Sequence, residues 1–153
     1  MEVFRLCREP FSGTLSGKGA ALYGARWNPP GLEMVYTAAN RALAMAEVAV
    51  HLTLATLPPD YCMMTIYIPE TLSLERLSLT GLPEGWNRFP HGSETQKLGE
   101  AFLLSGKNAL LQVPSAVVQG DYNILLNPQH PDFNQIKIVS VAPFPFDLRI
   151  FKG

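Results

Sequence analysis

Short β-type runs, mostly too closely spaced to be joined by helical crossovers, constrain this chain more than any other feature. Glu2–Cys7 alternates apolar and polar residues. Met34–Ala38, Cys62–Ile68, Tyr122–Leu126 and Ile136–Val141 are rich in β-branched, aromatic and aliphatic residues. Ala109–Val118 is a further run, broken by Pro114 and so read as an interrupted or edge strand. Leu72–Leu79 reads as another strand or an irregular edge. Parallel strands need connections of a dozen or more residues, so the sheet is expected to be mixed or antiparallel and the class α+β. Only two segments read as long helices. One runs from Arg41 to about Thr56 behind an Asn40 cap and stops at Pro58–Pro59. The other starts at Ser93 with the capping-box pattern Ser93…Gln96 and ends near Gly106. No repeat, low-complexity segment or linker interrupts the 153 residues, so residues 1–153 are read as one domain.

Charge narrows the function classes. The net charge is −1 and no run of Lys or Arg is interleaved with aromatics, so direct nucleic-acid binding is not expected. No apolar stretch is long enough to span a bilayer, and the N-terminus lacks the pattern of a signal peptide. A cytoplasmic protein with no membrane contact is expected, with Cys7 and Cys62 as buried free thiols. Charged residues are only 16% of the chain, against about a quarter in an average domain. Either the core is large or part of an apolar surface is covered by a partner.

The chemistry concentrates between Gly24 and His51. The turn Asn28–Gly31, NPPG, follows Arg26 and Trp27. The strand Met34–Ala38 carries Tyr36, and the helix after it has Glu47 as its one acid. Leu43, Glu47, Val50 and Leu54 share a stripe of a helix that looks buried nearly all round. A carboxylate there is costly unless paired or neutralised, so Glu47 is a structural ion pair, a side chain snorkelling out at the sheet edge, or the acid at the floor of a cleft. Arg26 presents a fork suited to phosphate oxygens or to Glu47 itself. Trp27 reads as core, and Tyr36 as either a stacking platform or a core tyrosine with a bonded hydroxyl. His51, four residues after Glu47, suits a local Glu–His hydrogen bond or a core histidine better than a metal; no metal site is expected. Ser12–Gly19, SGTLSGKG, reads as a flexible lid or connector, ahead of a direct phosphate clamp; it is not a Walker loop, since no Ser or Thr follows its GK. Ser115 lies where a strand breaks and lacks a nucleophile elbow, which suits hydrogen bonding to a substrate better than nucleophilic attack.

Four segments together resemble a known family: LSGKGAALYGARWNPPGLEMVYTA, ALAMAEVAVHL, VPSAVV and NILLNPQHPDF. They look like the RES domain, named for an Arg, a Glu and a Ser that match Arg26, Glu47 and Ser115. Ala25 departs from the glycine that many members carry before the Arg. The resemblance implies a fold similar to ADP-ribosyltransferase toxins. It also implies a toxin of a type II bacterial toxin–antitoxin system that degrades NAD by phosphorolysis or hydrolysis, with some members transferring ADP-ribose to a protein instead. NAD is then the substrate and inorganic phosphate a co-substrate, with no bound cofactor. The partner is a helix-turn-helix antitoxin that closes the active site and makes any DNA contact. By the same resemblance, Glu47 stabilises the oxocarbenium-like ribose, Arg26 holds pyrophosphate or attacking phosphate, Tyr36 stacks near nicotinamide or orients the ribose, and Ser115 hydrogen-bonds the substrate. Arg5 is a second phosphate or ribose contact, and Asn127, in the NP turn, is structural. The rival expectation is a non-catalytic module that keeps the fold and binds a nucleotide or the antitoxin.

Overall fold

The computed structural model describes residues 1–151. Seven strands form one mixed sheet: β1 Glu2–Arg8, β2 Val35–Ala38, β3 Tyr61–Tyr67, β4 Leu74–Arg76, β5 Leu110–Pro114, β6 Tyr122–Leu126 and β7 Lys137–Pro143. Their order is β4-β5-β6-β2-β1-β3-β7, and every pairing is antiparallel except β4 with β5. The α+β class and single mixed sheet agree with the sequence reading.

The pleat sends alternate residues to opposite faces. One face carries a single cluster that includes Val3, Val35, Met64, Ile66, Ile124 and Leu126. The other carries two. Phe4, Leu6, Ala38 and Met63 pack with Leu43 and Ala44 of α2 (Arg41–Ala49), while Leu111, Val113 and Leu125 pack with Phe102 of α3 (Ser93–Ser105) and with Trp27. The central strands β1 and β2 share only the register pair Phe4↔Ala38. The sheet is therefore thinly joined in the region where the two clusters meet.

Several elements differ from the sequence reading. The helix that begins at Arg41 stops at Ala49, not at Thr56. Asn40 does cap it, accepting from the Leu43 N–H at 2.8 Å. Thr53 and Thr56 then form their own capping box around a single turn, Leu54–Thr56, which draws the backbone out of the α-helical ladder. α2 is also not buried all round: Leu43 is 1% exposed but Ala42 is exposed. A short helix, α1 (Lys18–Tyr23), forms where only a connector was expected. The Ser93…Gln96 box does not form, because Gly92 is the cap and Gln96 is drawn elsewhere. Pro114 closes β5, an interior strand rather than an edge, where its missing N–H is harmless. Cys7 and Cys62 are free, buried and directly opposite each other in the β1–β3 register.

Candidate active site

The turn that presents Arg26 is anchored from four sides. Ala25 and Asn28 bridge through their backbones at 2.9 and 3.4 Å. Asn28, fully buried, donates its amide to the carbonyls of Ala20, Pro29 and Leu32. The Tyr36 hydroxyl donates to Asn28 Oδ1 at 2.6 Å and accepts the Trp27 N–H at 3.1 Å. Gln96 of α3 donates to the carbonyls of Ala25 and Asn28. Gly99, one turn on, lets α3 lie against this turn: a Cβ there would collide with the Trp27 carbonyl oxygen. Gly24 begins the turn at φ 72°, in the left-handed region.

Trp27 goes into the core at 3% exposure, and Arg26 turns outward. Its Nη1 donates to the Trp86 carbonyl at 2.8 Å and the Arg88 carbonyl at 2.9 Å. Among the described residues it makes no ion pair with Glu47, although the two charges feel each other. The simple ion-pair reading of Glu47 is thus set aside.

Glu47, half-buried on α2, accepts the Ser115 hydroxyl proton at Oε1, 2.9 Å away. Burial pushes its carboxyl above the ordinary glutamate value. Hydrogen bonds from Ser115 and Asn123 and the nearby charges of Arg26 and His51 pull the other way. Burial lowers the Arg26 guanidinium, opposed by Glu47 and Tyr36. Burial also raises the Tyr36 phenol, so it stays a neutral hydroxyl.

Arg26, Tyr36 and Glu47 line both lobes of one cleft. The smaller lobe, about 380 Å³, is walled by Phe4, Trp27 and Met34 and also takes Arg5, Gly19 and Asn123. The larger, about 660 Å³, is walled by Val50, His51, Asn87, Phe89 and His91. Arg5 donates to the Tyr36 carbonyl at 3.2 Å, reaching across where β1 and β2 barely pair, and burial lowers its basicity.

Ser115 is placed differently from the sequence reading, which gave it a substrate hydrogen bond. It is 5% exposed, gives its one proton to Glu47 and accepts from the N–H groups of Val117 and Val118. Its neighbour Ala116 reaches the cleft wall in its stead. His51 is exposed and near Phe89 rather than in the core, and among the described residues no hydrogen bond joins it to Glu47. Asn127 is buried and serves its own turn, accepting from the Gln129 N–H. Sequence reasoning missed Asn28, Gln96, Asn123 and the loop from Trp86 to His91. The one available signal was Asn123, an amide within an otherwise apolar strand on the same pleat face as Leu125.

The whole chain is similar to known proteins. The chain is 39% identical over 140 residues, 90% of its length and 87% of the relative's, to a Prs ADP-ribosylating toxin of Sphingobium sp. (strain YBL2). It is 35% identical over 155 residues, 100% of this chain and 99% of the relative, to a protein named Toxin Res from Photorhabdus laumondii. The toxin–antitoxin complex MbcT–MbcA of M. tuberculosis contains a chain of the same fold, with a TM-score of 0.77 and 23% identity over 94% of this chain and 83% of that one. The sequence profile of the RES domain matches residues 2–148, and the chain belongs to the RES domain family.

Proposed function

We propose that this protein is the toxin of a bacterial toxin–antitoxin pair and that it cleaves NAD at the nicotinamide–ribose bond, by phosphorolysis or hydrolysis. The observation that carries this reading is the unpaired coexistence of Arg26 and Glu47 at the waist of one two-lobed cleft, each held by other groups. A guanidinium committed to backbone carbonyls and a carboxylate committed to a serine keep their places without neutralising each other. That is the preorganisation an ionic substrate with developing positive charge requires.

In the proposed reaction the C–N bond to nicotinamide breaks and its electron pair goes to the pyridinium ring, which leaves neutral. The ribose carbon passes through an oxocarbenium-like state, as in glycoside cleavage. Glu47 faces that charge and can accept a hydrogen bond from a ribose hydroxyl. Arg26 holds pyrophosphate or the incoming phosphate with the rest of its fork. An acceptor oxygen then forms the new C–O bond, and the proton it carried passes to solvent water. Tyr36 contributes its ring to the cleft wall while its hydroxyl keeps the Arg26 turn in place. Ser115 acts through Glu47.

The antitoxin is proposed as a helix-turn-helix partner. An antitoxin partner is supported by the toxin–antitoxin complex that contains a chain of the same fold, and its footing by exposed apolar side chains: Leu22 and Tyr23 on α1, next to the cleft-lining Gly19 and Ala20, and Phe89 in the larger lobe. The test is NAD incubated with antitoxin-free protein, with and without phosphate, and the products identified by mass. Nicotinamide release is expected, with ADP-ribose 1″-phosphate formed when phosphate is present. NAD left intact in both arms sinks the proposal. A second reading, ADP-ribosyl transfer to a protein, is favoured by the name of the Sphingobium relative. Label from NAD on a protein band distinguishes it.

A further inference from the structure

Two aromatic rings stand in the larger lobe with no role in bond cleavage. Phe89 is 78% exposed, on the loop that precedes α3. His51 is exposed just beyond α2, beside Phe89 on the lining of the same lobe. Their ring centroids are 6.0 Å apart and the planes are tilted by 49°. A planar ring held between two others makes van der Waals contact with each, which sets the outer pair about 7–8 Å apart. Opening by about 1–2 Å, with the rings turned from their 49° tilt toward parallel, is within reach of exposed side chains, which change rotamer on fast timescales.

The rest of the lobe has a matching character. Val50 and Val117 add apolar wall, and Asn87 and His91 add hydrogen-bonding groups, Asn87 both donor and acceptor. The lobe meets the smaller one at Arg26, the proposed pyrophosphate contact. The smaller lobe has room for one end of a dinucleotide, and the larger for the other. We propose that Phe89 and His51 clamp the adenine ring of the dinucleotide in the larger lobe, so that the loop from Trp86 to His91 selects an adenine dinucleotide over a nicotinamide mononucleotide. This assignment rests on the NAD reading of the cleft. The same loop supplies the two carbonyls that hold Arg26, so one element sets both the anion contact and the base contact.

The experiment is a calorimetric titration of the full chain with AMP, with nicotinamide mononucleotide and with inorganic phosphate. In Phe89→Ala, AMP affinity is expected to fall about tenfold, in line with the loss of one aromatic–base stack. Phe89→Tyr, which keeps the ring, should restore it. Nicotinamide mononucleotide should bind both variants as it binds the wild type. The clamp is overturned if the wild type does not bind AMP, if Phe89→Ala binds it unchanged, or if the two nucleotides lose equally. A loss confined to inorganic phosphate would overturn it too, by assigning the lobe to the acceptor. Binding is read without turnover. A protein that binds AMP through Phe89 but cleaves no NAD would sink the catalytic reading and leave the clamp standing.

Discussion

The Ser115 hydroxyl donates to Glu47 Oε1 at 2.9 Å while accepting from the backbone N–H groups of Val117 and Val118. The two backbone donors fix the direction of its single proton, and the proton fixes the carboxylate. In the proposed reaction Ser115 is thus a positioning residue whose effect is felt at Glu47.

Ser115→Ala should lower the rate of NAD cleavage by roughly 10–100-fold, the worth of one hydrogen bond to a charged group. It should also move the acid limb of the pH–rate profile upward, since the Ser115 hydrogen bond holds the Glu47 carboxyl down against burial. A rate loss with an unmoved acid limb would show that Ser115 acts elsewhere.

Glu47→Gln should abolish cleavage yet stabilise the fold at neutral pH. Burial raises the Glu47 carboxyl above its unfolded value, so the folded chain binds that proton more tightly than the unfolded chain does. Stability therefore falls as pH rises from the unfolded value through the folded one, and the full cost is present above it. Glutamine carries no such cost. Thermal unfolding should show the variant melting higher at neutral pH and level with the wild type near pH 3, below the ordinary glutamate range.

Arg26→Lys should fail despite its conserved charge. A lysine ammonium lacks the planar fork that serves two carbonyls and an anion together. A fall of about 100-fold in kcat/KM for NAD is expected, the loss of one or two charge-assisted hydrogen bonds. The amides of Trp86–His91 should exchange hydrogen faster than in the wild type, which mass spectrometry of the loop peptides would detect.

Gly99→Ala should destabilise the protein by about 3 kcal/mol or more, because its Cβ would meet the backbone of Trp27 rather than a side chain that can yield. The damage should reach the site, since the Trp27 peptide carries the turn that aims Arg26. Denaturant unfolding measures the first effect, and NAD cleavage of the folded fraction the second.

Strand positions, the α+β class and the Arg26–Tyr36–Glu47 series were legible in the sequence, because pleat alternation, turn prolines and an acid in an apolar helix are local signals. The end of α2 was not. Its apolar pattern continues past Ala49, but the reciprocal Thr53–Thr56 capping closes a separate turn. The Ser93…Gln96 box does not form for a related reason: a local motif is overridden because Gln96 reaches two part-buried carbonyls of a turn distant in sequence.

The sequence by itself determined which side chains carry charge and which elements present them. The tertiary structure alone decided their relations. It brought the Ser115 hydroxyl to Glu47, tied Arg26 to a loop about sixty residues away, and set His51 beside Phe89 in one lobe. Periodicity fixes the face on which a residue lies. The partner that it meets there depends on how β1 and β2 separate and how closely α3 approaches Trp27, and those are properties of the packed molecule.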